Sequence, residues 1–197
     1  MGNWDDYVYP NGVLKNKLGI TDQEELTNTE NKIVVYRLAQ LIGEEYKING
    51  NFDSNHLRHI HYFLFSDLYE FAGYYREVDI FKTTGFLSYE KISDELENLM
   101  NEMNQIEVVN SKFMIADYLA NYYYRLIEIH PFREGNGRAI REFIRELASY
   151  KFPNYELDYS LVDKRNFLDG VIYHSSYPSL LTGEIYNALT EVKEKVR

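Results

Sequence analysis

Along most of the chain, apolar residues recur every three or four positions, which is the pattern of helices that each bury one stripe. Val35, Leu38, Ala39, Ile42 and Tyr46 keep this spacing. With Thr27 or Asn28 as N-cap they predict a first helix that runs to Tyr46 and is ended by Asn49-Gly50-Asn51. Leu57, Ile60, Leu64, Leu68 and Phe71 predict a second helix over 55–72, closed by Gly73. Ser88 can cap a third over 89–104, where Glu90, Glu95, Glu97 and Glu102 form a solvated face. Ile115, Leu119, Tyr122, Leu126 and Ile129 alternate steps of four and three, so the next helix is buried and carries His130 at its end. Pro131 stops it, lacking a backbone donor and disfavouring the α region for the residue before it. Ile140, Phe143, Ile144 and Leu147 mark another helix. After the break at Pro153-Asn154 come a segment near 159–175 and, from Pro178, a last helix to about residue 195.

The good strand signal is Arg76 to Phe86, rich in β-branched and aromatic residues with a late Gly85, and it reads as a short hairpin. Such a hairpin on a helical protein exposes an edge that another chain can pair with. Residues 1–26 mix Tyr7, Tyr9, Pro10, Gly12 and Gly19 without periodicity and read as an ordered arm of turns. The expected fold is all-α, a domain of about seven helices over 27–197 with one short β-hairpin, preceded by that arm.

Composition narrows the function classes. A net charge of -10 argues against a nonspecific nucleic-acid or anionic-membrane binder. The absence of Cys excludes disulfides, thiolate chemistry and cysteine-ligated zinc. Neither a signal peptide nor a membrane-length apolar run is evident, so a cytoplasmic protein is expected. Aromatic residues make up 16% of the chain, with 19 Tyr against one Trp, which predicts a core of rings whose hydroxyls reach its edge. His56, His59 and His61 share the second helix, but zinc needs three or four convergent ligands. His56 and His59 lack acidic partners at ligand spacing and His61 is placed toward the core, so a metal site is not expected there.

Chemistry concentrates in His130-Pro-Phe-Arg-Glu-Gly-Asn-Gly-Arg-Ala-Ile-Arg141, twelve residues holding one imidazole, one carboxylate, two glycines and three arginines. Gly135 and Gly137 flank Asn136 and let successive N–H groups point into one concavity. Arg138 and Arg141 lie in the first turn of the following helix, where the dipole is positive and acidic residues are expected, so something anionic should neutralise them. Helix-start N–H groups, a glycine nest and two arginines together suit phosphates. Glu134 then reads as a ligand for the Mg²⁺ that accompanies a polyphosphate, and His130 as a general base. The blander alternative is an ordinary helix–helix turn, with Arg138, Arg141, Glu142, Arg145 and Glu146 as a solvated, salt-bridged face. So many such residues in one run, in the predicted helix–loop–helix context, favour the site.

This stretch resembles the signature loop of the Fic family, His-x-Phe-x-(Asp/Glu)-Gly-Asn-Gly-(Lys/Arg)-x-x-Arg, with every position filled. The resemblance covers roughly residues 27–180. It implies Mg²⁺-dependent transfer of AMP from ATP to a Tyr, Thr or Ser hydroxyl of a target protein. By resemblance, His130 deprotonates that hydroxyl, Glu134 holds Mg²⁺ and Phe132 anchors the loop. The backbone of Gly135, Asn136 and Gly137 cradles phosphates, Arg133 joins the nucleotide-binding set, Arg138 meets the β-phosphate and Arg141 the γ-phosphate. The hairpin corresponds to the family's flap, which would hold the target along residues 78–86, with Lys82 and Thr83 near the nucleotide. Phe167 and Tyr173 are candidates for an adenine pocket. The related Doc-type phosphotransferases carry Ala and Lys in place of the two glycines, so Gly135 and Gly137 favour nucleotidyl transfer. Rival readings are AMP removal or use of another nucleotide at the same site, and a non-catalytic nucleotide-binding interaction module.

Members of this family are commonly restrained by a helix carrying (Ser/Thr)-x-x-x-Glu-(Gly/Asn), whose glutamate pairs with the second motif arginine, here Arg141. Ser93 to Asn98 matches literally but directly follows the flap, Glu30-Asn31 has Leu26 where Ser or Thr should stand, and Glu184 is followed by Ile185. Inhibition is therefore expected in trans, from a small antitoxin-like protein. The expected location is the cytoplasm, or a host cell if the protein is a delivered effector.

Overall fold

Asp22 starts the first helix: its carboxylate accepts the Glu25 N–H at 2.8 Å, and Glu24 and Glu25 complement the positive helix start. In the computed structural model, which describes residues 4–80, 86–107 and 111–192, α1 therefore spans Gln23–Ile42 and begins before the expected Thr27 or Asn28. It is followed by α2 (Ser54–Phe65), α3 (Ile92–Gln105), α4 (Lys112–Ile129), α5 (Asn136–Lys151), α6 (Lys164–Ile172) and α7 (Pro178–Ala188). Short strands β1 (Tyr155–Leu157) and β2 (Leu189–Glu191) pair antiparallel. The all-α class with seven helices among the described residues agrees with the periodicity; the β1–β2 pair is a further element that the spacing did not predict.

The chain divides into two compact units, Met1–Asn101 with Ile129–Ala139, and Glu102–Glu128 with Ile140–Arg197. In the first, the arm is ordered: Val8 and Leu14 form a bridge, the Lys17 N–H donates to the Leu68 carbonyl at 2.8 Å, and the Tyr7 ring meets Phe71 edge-on. α2, capped by Asp53, buries Leu57, Ile60, His61, Leu64 and Phe65. It ends at Phe65 rather than near 72, because the chain then turns, with the Leu68 and Tyr69 N–H groups both bonding back to the Phe65 carbonyl. Leu68 is still fully buried, which is why its spacing imitated a longer helix. Gly73, expected as a helix cap, instead has φ 79° and gives its N–H to His61. In the segment expected as a hairpin, Val78 and Ile80 are buried and Glu77 and Asp79 exposed, and the Phe86 N–H reaches the Ile80 carbonyl. Residues 81–85 lie outside the described residues. Ser88 makes no side-chain cap; Asp79 accepts the Tyr89 N–H at 2.9 Å instead, at the 3₁₀ turn that leads into α3.

In the second unit, α4 buries Ile115, Leu119, Tyr122 and Leu126, the stripe read from its spacing. Lys151, at the end of α5, donates to the carbonyls of Met103 and Ile106 and so satisfies the end of α3. α6 and α7 approach so closely at Gly170 that a side chain there would meet the Leu181 backbone at 2.8 Å. α7 ends at Ala188, short of the expected 195, since Leu189–Glu191 pairs with Tyr155–Leu157. Glu142 is buried at 3% exposure and ion-paired to Arg145 at 2.6 Å, so this face of α5 is not the solvated one that an ordinary turn would carry.

Candidate active site

Three side chains fix the turn between α4 and α5 from within the first unit. Asn136 closes it on itself: its amide accepts the Phe132 N–H at 2.8 Å and donates to the Phe132 carbonyl at 2.7 Å. Phe132, fully buried, stacks on His61 with ring centres 3.8 Å apart, which is the anchoring role expected of it. His61 receives the Gly73 N–H on Nδ1 and therefore carries its proton on Nε2, which donates to the Glu134 carbonyl at 2.9 Å. Burial drives its pKa from 6.5 down to about 4, against the raising effect of the Glu134 carbonyl, with Arg138 lowering it further. The core placement read for His61 is what the structure shows; its tie to the motif loop was not legible, because the contact joins distant parts of the sequence.

Gly135 has φ 81°, and a side chain there would run into the Phe65 ring, so glycine is required twice over. Its carbonyl accepts the N–H groups of Arg138 and Ala139 as α5 begins. The N–H groups of Asn136 and Gly137 have no hydrogen-bond partner among the described residues, as at the open start of a helix. Glu134 is half exposed, at 48%, and accepts the Gly135 N–H at 2.9 Å. His130 adopts φ 49°, a left-handed conformation costly for a residue with a side chain. Its ring stacks on Phe86 at 3.8 Å.

The arginines part company. Arg138 is already paired: Glu30 of α1 lies 2.6 Å from its guanidinium, with the two side chains only 12% and 21% exposed, and Glu134 lies at 3.8 Å. The Tyr69 hydroxyl also donates to Glu30, and burial together with that carboxylate raises the hydroxyl's pKa. The anion that Arg138 demanded is thus in part supplied by the chain itself, a pairing hidden from spacing arguments. Arg141, in the second unit, has its charge close to the Tyr123 hydroxyl and has no carboxylate ion-paired to it among the described residues. Arg133 is 9% exposed, with its guanidinium over the Tyr7 ring at 5.7 Å. Lys82 and Thr83 lie outside the described residues. Phe167 is buried edge-on against Tyr123 and Tyr159, a core position, and Tyr173 is exposed. His130, Glu134, Gly135, Asn136, Gly137 and Arg138 therefore come together on one turn and one helix start, with Arg141 further along α5.

The profile of the Fic/DOC family matches residues 51–148. Protein adenylyltransferase VbhT of Bartonella schoenbuchensis is 34% identical over 96% of this chain, which spans 40% of that protein's length. A probable protein adenylyltransferase Fic of Escherichia coli K12 is 32% identical over 81% of this chain and 79% of its own length. Among solved structures, the Bartonella tribocorum BepC protein with bound AMPPNP, a VirB-translocated Bartonella effector, superposes with a TM-score of 0.85 at 26% identity, covering 96% of this chain and 98% of that one. A Bartonella quintana Fic domain with bound ADP gives a TM-score of 0.83 at 25% identity, over 95% and 96% of the two chains. Motif, fold and relatives agree, and the chain belongs to the Fic/DOC family.

Proposed function

We propose that this chain is a protein adenylyltransferase that moves AMP from ATP to a Tyr, Thr or Ser hydroxyl of a target protein. The observation that carries the reading is the turn itself, where His130 sits immediately before an open helix start at Asn136 and Gly137. The relatives' names and their bound nucleotides support the same reading. His130 takes the proton of the incoming hydroxyl; the freed oxygen attacks the α-phosphorus, the bond to the β-phosphate breaks, and pyrophosphate leaves. The N–H groups of Asn136 and Gly137 receive phosphate oxygens at the positive end of α5, with Arg138 and Arg141 as charged donors.

Glu134 is the residue that would hold Mg²⁺. A half-exposed carboxylate beside a phosphate cradle fits an ion that usually keeps one or two protein carboxylates and otherwise binds water and phosphate. Among the described residues no cluster of three acidic or histidine side chains forms a metal cage of its own. When bound, Mg²⁺ would neutralise charge on the phosphates.

The reading includes a target held against residues 78–86, with Lys82 and Thr83 near the nucleotide. It also includes a small inhibitory protein acting in trans, whose carboxylate would pair with Arg141. Arg141 lacks an acidic partner among the described residues, and Glu184 is engaged by the Asp163 N–H. No helix among the described residues is long and apolar enough to cross a membrane. Location in the cytoplasm, or delivery into a host cell, belongs to the same proposal, the latter supported by the BepC relative's being a VirB-translocated effector.

Incubating the protein and a cell lysate with ATP labelled at the α or the γ phosphate tests the reaction. Label should enter protein from the α position only, and His130→Ala should abolish it while leaving ATP binding within about threefold, since the base touches the hydroxyl and not the phosphates. Labelling from the γ position, or a His130→Ala variant that labels at the parent rate, would overturn the proposal.

A further inference from the structure

Arg76 is among the largest fully buried side chains, and among the described residues no acidic residue buried with it accounts for its charge. Its one carboxylate neighbour among the described residues, Asp79, lies 3.6 Å from Nη1 and is 43% exposed. The rest of its donors go to backbone carbonyls of two separate segments. On the motif side, Nε donates to the His130 carbonyl at 2.8 Å and Nη2 to that of Ile129 at 3.3 Å, while the Arg76 N–H donates to the Pro131 carbonyl at 2.9 Å. Three successive carbonyls around the left-handed His130 are held by one residue. On the other side, Nη1 donates to the Val78 carbonyl at 2.8 Å and Nη2 to the Leu87 carbonyl. Val78 and Leu87 flank the segment whose Phe86 ring stacks on the His130 imidazole, interplanar angle 12°.

A left-handed non-glycine residue persists only where its surroundings over-determine it. An isolated buried cation is likewise tolerated only when its donors are satisfied. Each condition meets the other here. A guanidinium offers five N–H donors in a rigid fork, whereas a lysine at the same place offers a single point of attachment. The purpose that fits both is geometric.

We infer that Arg76 is a positioning residue: it clamps the strained backbone of His130 and the carbonyls of Val78 and Leu87 to one guanidinium, so that the His130 imidazole and the Phe86 ring keep one register. The inference that this register serves catalysis rests on the proposed transfer reaction; the clamp itself does not. Arg76 touches neither nucleotide nor hydroxyl, so its loss acts through His130 and through where the target is held.

Arg76→Lys keeps the charge and loses the fork. It should lower kcat for target labelling by about a hundredfold, with ATP affinity within about threefold of the parent. The second readout needs no activity. In the parent, the ring protons of His130 should be shifted upfield by Phe86 in proton NMR, a shift calibrated by Phe86→Leu, and Arg76→Lys should abolish it. On the parent protein alone, the Arg76 Nε–H should exchange with solvent far more slowly than that of exposed Arg165, which keeps the proposal testable if Arg76→Lys fails to fold. Fast exchange of that proton, or a folded Arg76→Lys with the His130 shift intact, would overturn the clamp. Loss of the shift with an unchanged kcat would overturn its catalytic role, and a parent that transfers nothing would instead remove the function reading while leaving the NMR outcome to judge the clamp.

Discussion

Arg138 and Arg141 stand three residues apart on α5, yet their surroundings give them opposite starting conditions. Arg138 meets a largely buried carboxylate at 2.6 Å and lies over the Phe65 ring at 4.8 Å. Arg141 meets tyrosine, through the Tyr123 hydroxyl, and no carboxylate among the described residues. The first is a charge neutralised in advance, part of what holds α1 and the motif turn in one unit. The second is a cation that no carboxylate neutralises among the described residues. A signature that asks for a basic residue at both positions does not distinguish them; the neighbours do.

Removing each arginine should separate the two conditions most sharply. Arg138→Ala leaves Glu30 buried without its partner and should lower unfolding stability by roughly 3 kcal/mol, toward the low end for buried pairs because both side chains keep some exposure. Arg141→Ala breaks no ion pair among the described residues and should change stability by less than about 1 kcal/mol while weakening ATP binding about tenfold, as expected for one charge-assisted contact. Urea unfolding and calorimetric ATP titration of both variants check this. Equal stability losses would erase the distinction.

Acid tests the unit that contains Arg138 by another route. His61 is held at a pKa of about 4 against 6.5 when unfolded, so the unfolded chain takes up the proton first. Stability is therefore full above pH 6.5 and declines as pH falls toward 4, by up to about 3 kcal/mol for a shift of this size. Protonated His61 would also lose its acceptor for the Gly73 N–H. His61→Asn, which can donate to the Glu134 carbonyl but does not titrate, should flatten the decline over that window in urea unfolding followed at several pH values. A slope identical to the parent's would place the titrating group elsewhere.

What was legible in the sequence follows the range of the interactions. The helices could be read because their stripes repeat locally, and the motif because its turn is built from residues within twelve positions of one another. β1 and β2 escaped because each is a three-residue strand completed by a partner far along the chain, and a run that short carries no period. Glu30, His61 and Arg76 escaped for the same reason: each acts on the motif through a fold-level contact, and only the apolar spacing around His61 hinted at where it points. Glu30 is the instructive case, since the pattern test applied to it asked for Ser or Thr at position 26 and for pairing with Arg141. The structure instead pairs it with Arg138, beside the Tyr69 hydroxyl.

That pairing leads to the smallest and most discriminating expectation. On the proposed function, ATP would bring several negative charges to the start of α5, and the Glu30 carboxylate, bound to Arg138, would oppose them there. Glu30→Gln keeps an oxygen acceptor for Arg138 and for Tyr69 but removes one negative charge, so the guanidinium is left net positive for the nucleotide. At an effective dielectric near that of a protein surface this is worth on the order of 1 kcal/mol, or about fivefold tighter ATP binding. Because the pair is mostly buried, added salt should reduce the gain only partly. Calorimetric titration of parent and Glu30→Gln at two salt concentrations measures it, with thermal melting to confirm that both are folded. Unchanged affinity would mean that Arg138 serves Glu30 with one edge and phosphate with another, making Glu30 a support for the site rather than a competitor within it.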